Sequence, residues 1–223
     1  MISYKKSKID SLKIKFDGVE SIDKNYSQSY QDMFVLSMLN GKRNGTFLEI
    51  GAFDPTHISN TYLLEDKFGW KGISIDIEPS CKSSFESKRK SRFVLADALK
   101  IDYNDLLSGM PDRIDYLQLD IEPTINTFNC LKLLPLDKYR FSVITYETDY
   151  YDTQTPQNIK DMVRSESRRI LTSYGYKLVV GDVESDRGCP YEDWYVDTSI
   201  VAPEIYQQMS GDTIPDIFMR TDT

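Results

Sequence analysis

The strongest constraint on how this chain of 223 residues folds is a repeated alternation of short apolar runs with segments of helical character. Apolar, β-branched or aromatic runs bounded by polar turns occupy 46–50, 72–76, 92–95, 114–119, 141–146, 176–180 and 194–201. Each has the length and composition of a strand. Segments 60–68, 80–87, 102–107 and 124–133 between the early runs read as helices, and a longer helix over 158–174 is stopped by Gly175. Such alternation predicts a doubly wound α/β fold, a mostly parallel seven-stranded sheet covered by helices on both faces. The polar stretch 181–193 has no helical pattern, so the last strand is expected to return antiparallel to its neighbour. Ahead of the first strand, 31–40 places Phe34, Val35, Met38 and Leu39 on one side, an amphipathic helix that Gly41 can end.

No repeat and no Pro/Gly/Ser-rich linker interrupts the chain between Tyr26 and Ala202, and the length suits one sizeable core. The expected organisation is an N-terminal extension (1–25), one domain (26–202) and a C-terminal helix with a loose tail (203–223). No apolar run approaches the roughly 20 residues needed to span a bilayer. Met1 to Lys6 lacks the apolar core of a secretory signal, so a cytoplasmic protein with no membrane partner is expected. Cys81, Cys130 and Cys189 are widely separated without Cys-x-x-Cys spacing, and with a single histidine they predict reduced thiols and no metal site. A net charge of -8 opposes attraction to phosphate backbones, so nucleic acid is not an expected partner. Lys5, Lys6, Lys8, Lys13 and Lys15 read as a solvated tail; Lys82, Lys88, Arg89, Lys90 and Arg92 read as a solvated helix-to-strand turn.

In an open parallel sheet, ligands bind beyond the carboxyl ends of the strands, near the point where strand order reverses. The residues found there are mostly acidic. The first strand delivers Glu49, Gly51 and Asp54; the second ends at Asp76 with Glu78 beyond; the third ends at Asp97; the fourth delivers Asp120 and Glu122; the fifth delivers Glu147 and Asp149. Gly51 permits a close strand-to-helix turn, yet the Gly-x-Gly-x-x-Gly phosphate turn is absent, with Phe53 and Thr56 in its place. A pyrophosphate prefers amide donors and positive charge, whereas an acidic rim suits a ligand that is cationic at its reacting centre. S-adenosylmethionine has that chemistry. Asp76, 25 positions after Gly51, is placed to reach ribose hydroxyls, and Asp97 to meet the adenine amino group.

The motifs of this chain occur in a characteristic order. Tyr26-Ser27-Gln28 precedes Gln31-Asp32, Phe47-Leu48-Glu49-Ile50-Gly51-Ala52 is followed by Asp54, and Ser59-Asn60-Thr61 by Leu64-Glu65. Gly69-Trp70-Lys71-Gly72 leads to Asp76; then come Leu117-Gln118-Leu119-Asp120-Ile121-Glu122 and Asp193-Trp194-Tyr195-Val196. In this order, from about Tyr26 to Asp197, the chain resembles the FkbM family of S-adenosylmethionine-dependent methyltransferases, usually O-methyltransferases of sugars or hydroxylated natural products. The resemblance implies a class I methyltransferase sheet, Rossmann-like, with the last strand antiparallel. It implies cofactor roles for Gln28, Glu49, Gly51, Asn60, Asp76 and Asp97, and Ala52, Asp54, Ile77 and Ala98 beside them complete the expected cofactor-binding set. Pro123 stands where the family often has glycine, removing an amide donor. Glu147-Thr148 stands where an acid-His pair is expected.

Transfer to a hydroxyl needs in-line approach and removal of a proton. Asp120 and Glu147, after adjacent central strands, are the expected catalytic pair, either as a general base with an orienting partner or as joint holders of a divalent cation. His57, in the turn after the first strand, reads as a polar turn residue near the cofactor. Tyr146, Tyr150 and Tyr151 form a candidate platform for a small-molecule or glycan acceptor, while Trp194 and Tyr195 read as core. Two other readings stand beside the O-methyltransferase: a noncatalytic module that binds S-adenosylmethionine, and a nicotinamide-dependent sugar oxidoreductase, which the missing glycine-rich turn disfavours.

Overall fold

The structure, a computed structural model, describes residues 11–184, 189–209 and 218. Seven strands form one sheet: β1 (Thr46–Ile50), β2 (Lys71–Asp76), β3 (Arg92–Leu95), β4 (Arg113–Leu119), β5 (Arg140–Glu147), β6 (Tyr176–Glu184) and β7 (Pro190–Asp197), in the order β3-β2-β1-β4-β5-β7-β6. β1, β4 and β5 are buried almost throughout and rich in Ile, Leu, Val and aromatic residues, as strands covered on both faces must be. All pairings from β3 to β5 are parallel, and β7 runs antiparallel between β5 and β6. This is the class I methyltransferase topology. The connecting helices are α2 (Tyr62–Phe68), α3 (Pro79–Lys88), α4 (Tyr103–Leu106), α5 (Thr124–Leu133) and α6 (Gln157–Ser173), with α1 (Gln31–Met38) before the sheet and α7 (Pro203–Tyr206) after it.

The antiparallel strand lies four residues earlier than its apolar run suggests, and β6 continues to Glu184 into the polar stretch that has no helical pattern. The earlier start of β7 has a cause: it carries buried acids. Trp194 Nε1 donates to Glu192 at 2.7 Å, and Arg168 on α6 forks onto both oxygens of Asp193 at 2.8 and 2.7 Å. Polar residues with partners supplied by the fold sit in a central strand without disturbing it.

The helix α1 is buried on every side, so it is not amphipathic. Leu12, Phe16, Val19 and Ile22 close over it from one end of the chain and Phe218 from the other. Phe34 stacks on Trp194 at 4.5 Å between ring centroids, and Tyr30 on Phe218 at 5.0 Å. Segment 11–25 is therefore anchored to the core by its apolar side chains, while Lys15 is exposed and Lys13 half-buried; Lys5, Lys6 and Lys8 lie outside the described residues. Phe218, 2% exposed, likewise shows that the C-terminal segment is not loose at that point, while the rest of 210–223 lies outside the described residues. Among the described residues no helix is long and apolar enough to cross a membrane.

Candidate active site

The chain leaves β1 in one direction toward β2 and β3 and in the other toward β4 and β5, so the β1/β4 boundary is the switch point where crevices open. Two adjoining cavities lie there, a main chamber of about 460 Å³ and an inner one of about 130 Å³, sharing Gln28, Gly51, Phe53 and Asp120. The larger volume is in the range of small-molecule sites.

The turn after β1 separates them. Gly51 has φ +85°, donates to Ile75 O at 2.9 Å, and leaves room for the carbonyl of Asp120, which would stand 1.6 Å from any Cβ there. Phe53 follows with φ +44°, its amide donating to Asp76 Oδ2 at 2.7 Å, so the first two strand ends are tied together. Asp54 folds the next turn, its Oδ1 accepting from the amides of Thr56 and His57 at 2.8 and 2.7 Å. Burial pushes the Asp54 carboxyl up, but those amide bonds outweigh it and hold the group below the usual range.

Strand register sets the wall of the inner chamber. Ser74, Glu49, Gln118 and Thr145 are successive register partners across four strands, so their side chains share one face. Glu49 accepts from Ser74 Oγ at 2.6 Å; burial raises its carboxyl, opposed by the nearby Arg89 guanidinium. Gln118 Oε1 and Asn60 Oδ1 line this chamber, 2% and 8% exposed by residue, and neither acceptor has a hydrogen-bond donor among the described residues.

The segment carrying Asn60 is fixed by Arg89. Its guanidinium donates to Pro55 O at 3.0 Å and Thr61 Oγ1 at 2.8 Å, pairs with Glu65 at 3.3 Å, and lies 5.5 to 5.9 Å from the centroids of Phe47, Tyr62 and Phe85. Arg89 is thus a buried anchor, not part of a solvated basic turn.

Three acids at the ends of β4 and β5 shift one another's proton affinity. Asp120 and Glu147 line the main chamber, and the buried Asp149, outside its lining, stands in their field. Burial, then the charges of Asp120 and Asp149, push Glu147 well above the carboxylate range, while burial raises Asp120 and lifts Asp149 to about 7. Opposite Glu147 in the β5–β7 register is Glu192, raised by burial to about 8.

Every expected site residue lines one chamber or both. Asp76, Ile77, Asp97, Ala98 and Glu147 line the main chamber; Glu49, Ala52, Asp54 and Asn60 the inner one; Gln28, Gly51 and Asp120 both. His57 sits exposed at the rim of the inner chamber. Asp97 also caps the turn at Leu99 and pairs with the exposed Lys100 at 3.1 Å. Of the three tyrosines only Tyr151 faces the main chamber. Tyr146 is core, and Tyr150 is turned onto α6, donating to Asp161 at 2.7 Å with the Arg164 guanidinium 3.6 Å from its ring centroid. Among the described residues no group of three or more His, Cys, Asp or Glu has the arrangement to hold a metal ion.

Sequence reasoning missed Gln31, Gln118, Tyr191, Glu192 and Arg89. Gln31 Nε2 donates to Tyr191 Oη at 2.8 Å at the wall of the inner chamber, a contact between residues far apart in the chain. Nothing in the sequence separates Arg89 from Lys88 and Lys90. For Gln118 the signal was a polar residue inside an apolar strand, two positions before Asp120.

No family model matches the chain, and no curated protein matches it in sequence. Solved structures do match in fold. The O-methyltransferase from Bacillus cereus in complex with SAH is 15% identical, with 76% of this chain and 80% of that chain covered and a TM-score of 0.51. An rRNA methylase from Streptococcus thermophilus (12% identity, 74% and 93% covered, TM-score 0.44) and the N-methyltransferase NodS from Bradyrhizobium japonicum WM9 (10%, 75% and 94%, TM-score 0.46) also match.

Proposed function

We propose that this chain is an S-adenosylmethionine-dependent methyltransferase acting on a hydroxyl of a sugar, glycan or other hydroxylated small molecule, as the FkbM resemblance implies. The observation that carries the reading is the pair of adjoining chambers at the switch point of a class I methyltransferase sheet, walled by a carboxylate at or just beyond the end of each of its five parallel strands. The residues present fit the cofactor. Asn60 Oδ1 and Gln118 Oε1, buried acceptors without donors, suit its α-ammonium, and Asp76 and Asp97 in the main chamber suit ribose hydroxyls and the adenine amino group. Ile77, Ala98 and Leu99 supply apolar contact for the base. The O-methyltransferase from Bacillus cereus, whose fold this chain shares, was solved with SAH.

When bound, the cofactor supplies an electrophilic methyl, which forms a bond to the acceptor oxygen as its bond to sulfur breaks and the electron pair stays on sulfur. Asp120, at the boundary of both chambers, is the base that takes the hydroxyl proton. Glu147, whose carboxyl burial pushes well above the usual range, is its orienting partner. Tyr151 offers the acceptor ring an aromatic face.

The test is a thermal-shift comparison of S-adenosylmethionine, SAH and NAD, followed by detection of SAH release with a panel of sugars. Stabilisation by SAH, and about 100-fold slower release by Asp120→Asn with unchanged SAH affinity, is the expected result. Stabilisation by NAD in its place overturns the cofactor assignment, and unchanged turnover in Asp120→Asn removes the base.

A further inference from the structure

Seven non-glycine residues among those described hold φ between +44° and +67°. Asn40, Asn44, Asp149 and Asp182 are of the types that tolerate this left-handed region. Tyr30 is not, but its ring is buried against Phe218 at 5.0 Å between centroids, so packing offsets the strain. Phe53 at +44° and Ile58 at +54° have no such compensation: both lie in the turn between β1 and α2, and they are 63% and 39% exposed. Phe53 belongs to none of the core clusters, although Ala52 beside it does. Backbone strain and an exposed apolar ring both oppose folding, and such features persist together where a ligand completes a site.

Hydrogen bonding accounts for the backbone of Phe53 but not for its ring. The amide donates to Asp76 Oδ2 at 2.7 Å, while Asp76 Oδ1 accepts from the amide of Glu78 at 2.8 Å, so the residue is pinned to the end of β2. A glycine would make the same bond with less strain, and what it would lack is the aromatic side chain. Phe53 is one of the four residues shared by both chambers, with Gln28, Gly51 and Asp120. A cofactor whose α-ammonium meets Asn60 and Gln118 and whose ribose meets Asp76 would carry its sulfur between the two chambers, where these four stand. Gly51 has no side chain, Asp120 is engaged by the acceptor's proton, and Gln28 is a neutral amide. Phe53 alone brings an aromatic face, whose quadrupole attracts a cation.

We propose that Phe53 is the residue by which this site distinguishes S-adenosylmethionine from its demethylated product SAH, its ring lying against the sulfonium and attracting the positive charge that the product no longer has. The assignment rests on the methyltransferase reading and gives that site a means of preferring fresh cofactor to spent product. A ring face also holds a cation without offering an oxygen that would compete with the acceptor for the methyl, as a carboxylate at the same point would. Ile58, strained in the same way but bordering only the inner chamber, faces the amino-acid end, where the two ligands carry the same charges.

The experiment is calorimetric titration of the full chain with S-adenosylmethionine and with SAH, in the wild type, Phe53→Leu, Phe53→Gly and Ile58→Ala. Phe53→Leu keeps an apolar side chain without the π face, and Phe53→Gly suits the left-handed backbone, so neither endangers the fold. Each is expected to lower the ratio of S-adenosylmethionine affinity to SAH affinity about fivefold, the worth of one cation over a ring, while Ile58→Ala keeps the wild-type ratio. A wild-type ratio in either Phe53 variant, including equal weakening of both ligands, reduces Phe53 to packing and overturns the proposal while the cofactor reading stands. A fall of the same size in Ile58→Ala overturns it as well, because the charge would then not be read by the ring. Failure of both ligands to bind the wild type is a separate result and sinks the methyltransferase reading itself.

Discussion

A Cβ at position 51 would lie 1.6 Å from the carbonyl oxygen of Asp120, so the end of β1 and the end of β4 touch through the backbone alone. The glycine is demanded by this contact and by φ +85° before any ligand is considered. Gly51→Ala should therefore lower stability by about 3 kcal/mol or more in urea denaturation, and separate the two strand ends. Wild-type stability in this variant would show that the β1 turn can relax without them parting.

Arg89 and Glu65 make the second prediction. Both side chains are almost wholly buried, and the guanidinium also anchors the segment that ends at Asn60. Removing one partner of such a pair leaves the other charge stranded, at a cost of about 3–5 kcal/mol. Arg89→Met should show this loss, and adding Glu65→Gln should restore a good part of it. A double-mutant cycle measured by chemical denaturation checks the coupling, and additive losses would contradict it.

Two buried acids of β7 give opposite dependences on pH. Glu192, raised by burial to about 8, binds its proton more tightly folded than unfolded. Its stabilising effect is complete below the unfolded value of about 4.3 and is lost as pH climbs toward 8, by at most about 1.4 kcal/mol per pH unit. Asp197 has the reverse sign. Burial pushes it up, but Arg113, Ser199 and Arg140 hold it well below the usual range, so its contribution is present above the unfolded value and is lost as pH falls. Melting curves of Glu192→Gln should lose the decline between about pH 5 and 8, and those of Asp197→Asn should lose part of the acid-side decline. A Glu192→Gln profile parallel to that of the wild type would remove the first assignment.

The neighbouring tyrosines of the β5–α6 connection should separate cleanly. Tyr151→Ala is expected to weaken acceptor binding about fivefold, the worth of one aromatic face, with SAH affinity unchanged. Tyr150→Ala, whose ring is engaged by Arg164 and Asp161, should leave acceptor binding as it was. Acceptor titrations of the two variants in parallel decide between them.

The residues that end strands were legible because their position follows from local pattern alone. Asp76, Asp97, Asp120 and Glu147 each close or follow an apolar run, and a carboxylate placed there reaches the crevice whatever the rest of the chain does. Gln118 and Glu192 were not, because their roles come from register: Gln118 gains its chamber from Glu49 on the neighbouring strand, and Glu192 its place from lying opposite Glu147. Pattern reading also set β7 too late, since it treats an acid within a strand as a break, whereas Arg168 and Trp194 supply the partners that let Asp193 and Glu192 be buried. α1 looked one-sided for a similar reason. The apolar side chains that share its cluster include Leu12 and Phe16 at one end of the chain and Phe218 at the other.

The place of β7 between β5 and β6 has a consequence for assembly in time. β6 comes earlier in the chain, yet its ladder is made with β7 alone. The native partner of β6 is therefore absent until the chain has been made through Asp197. Only with that strand does Glu192 come opposite Glu147.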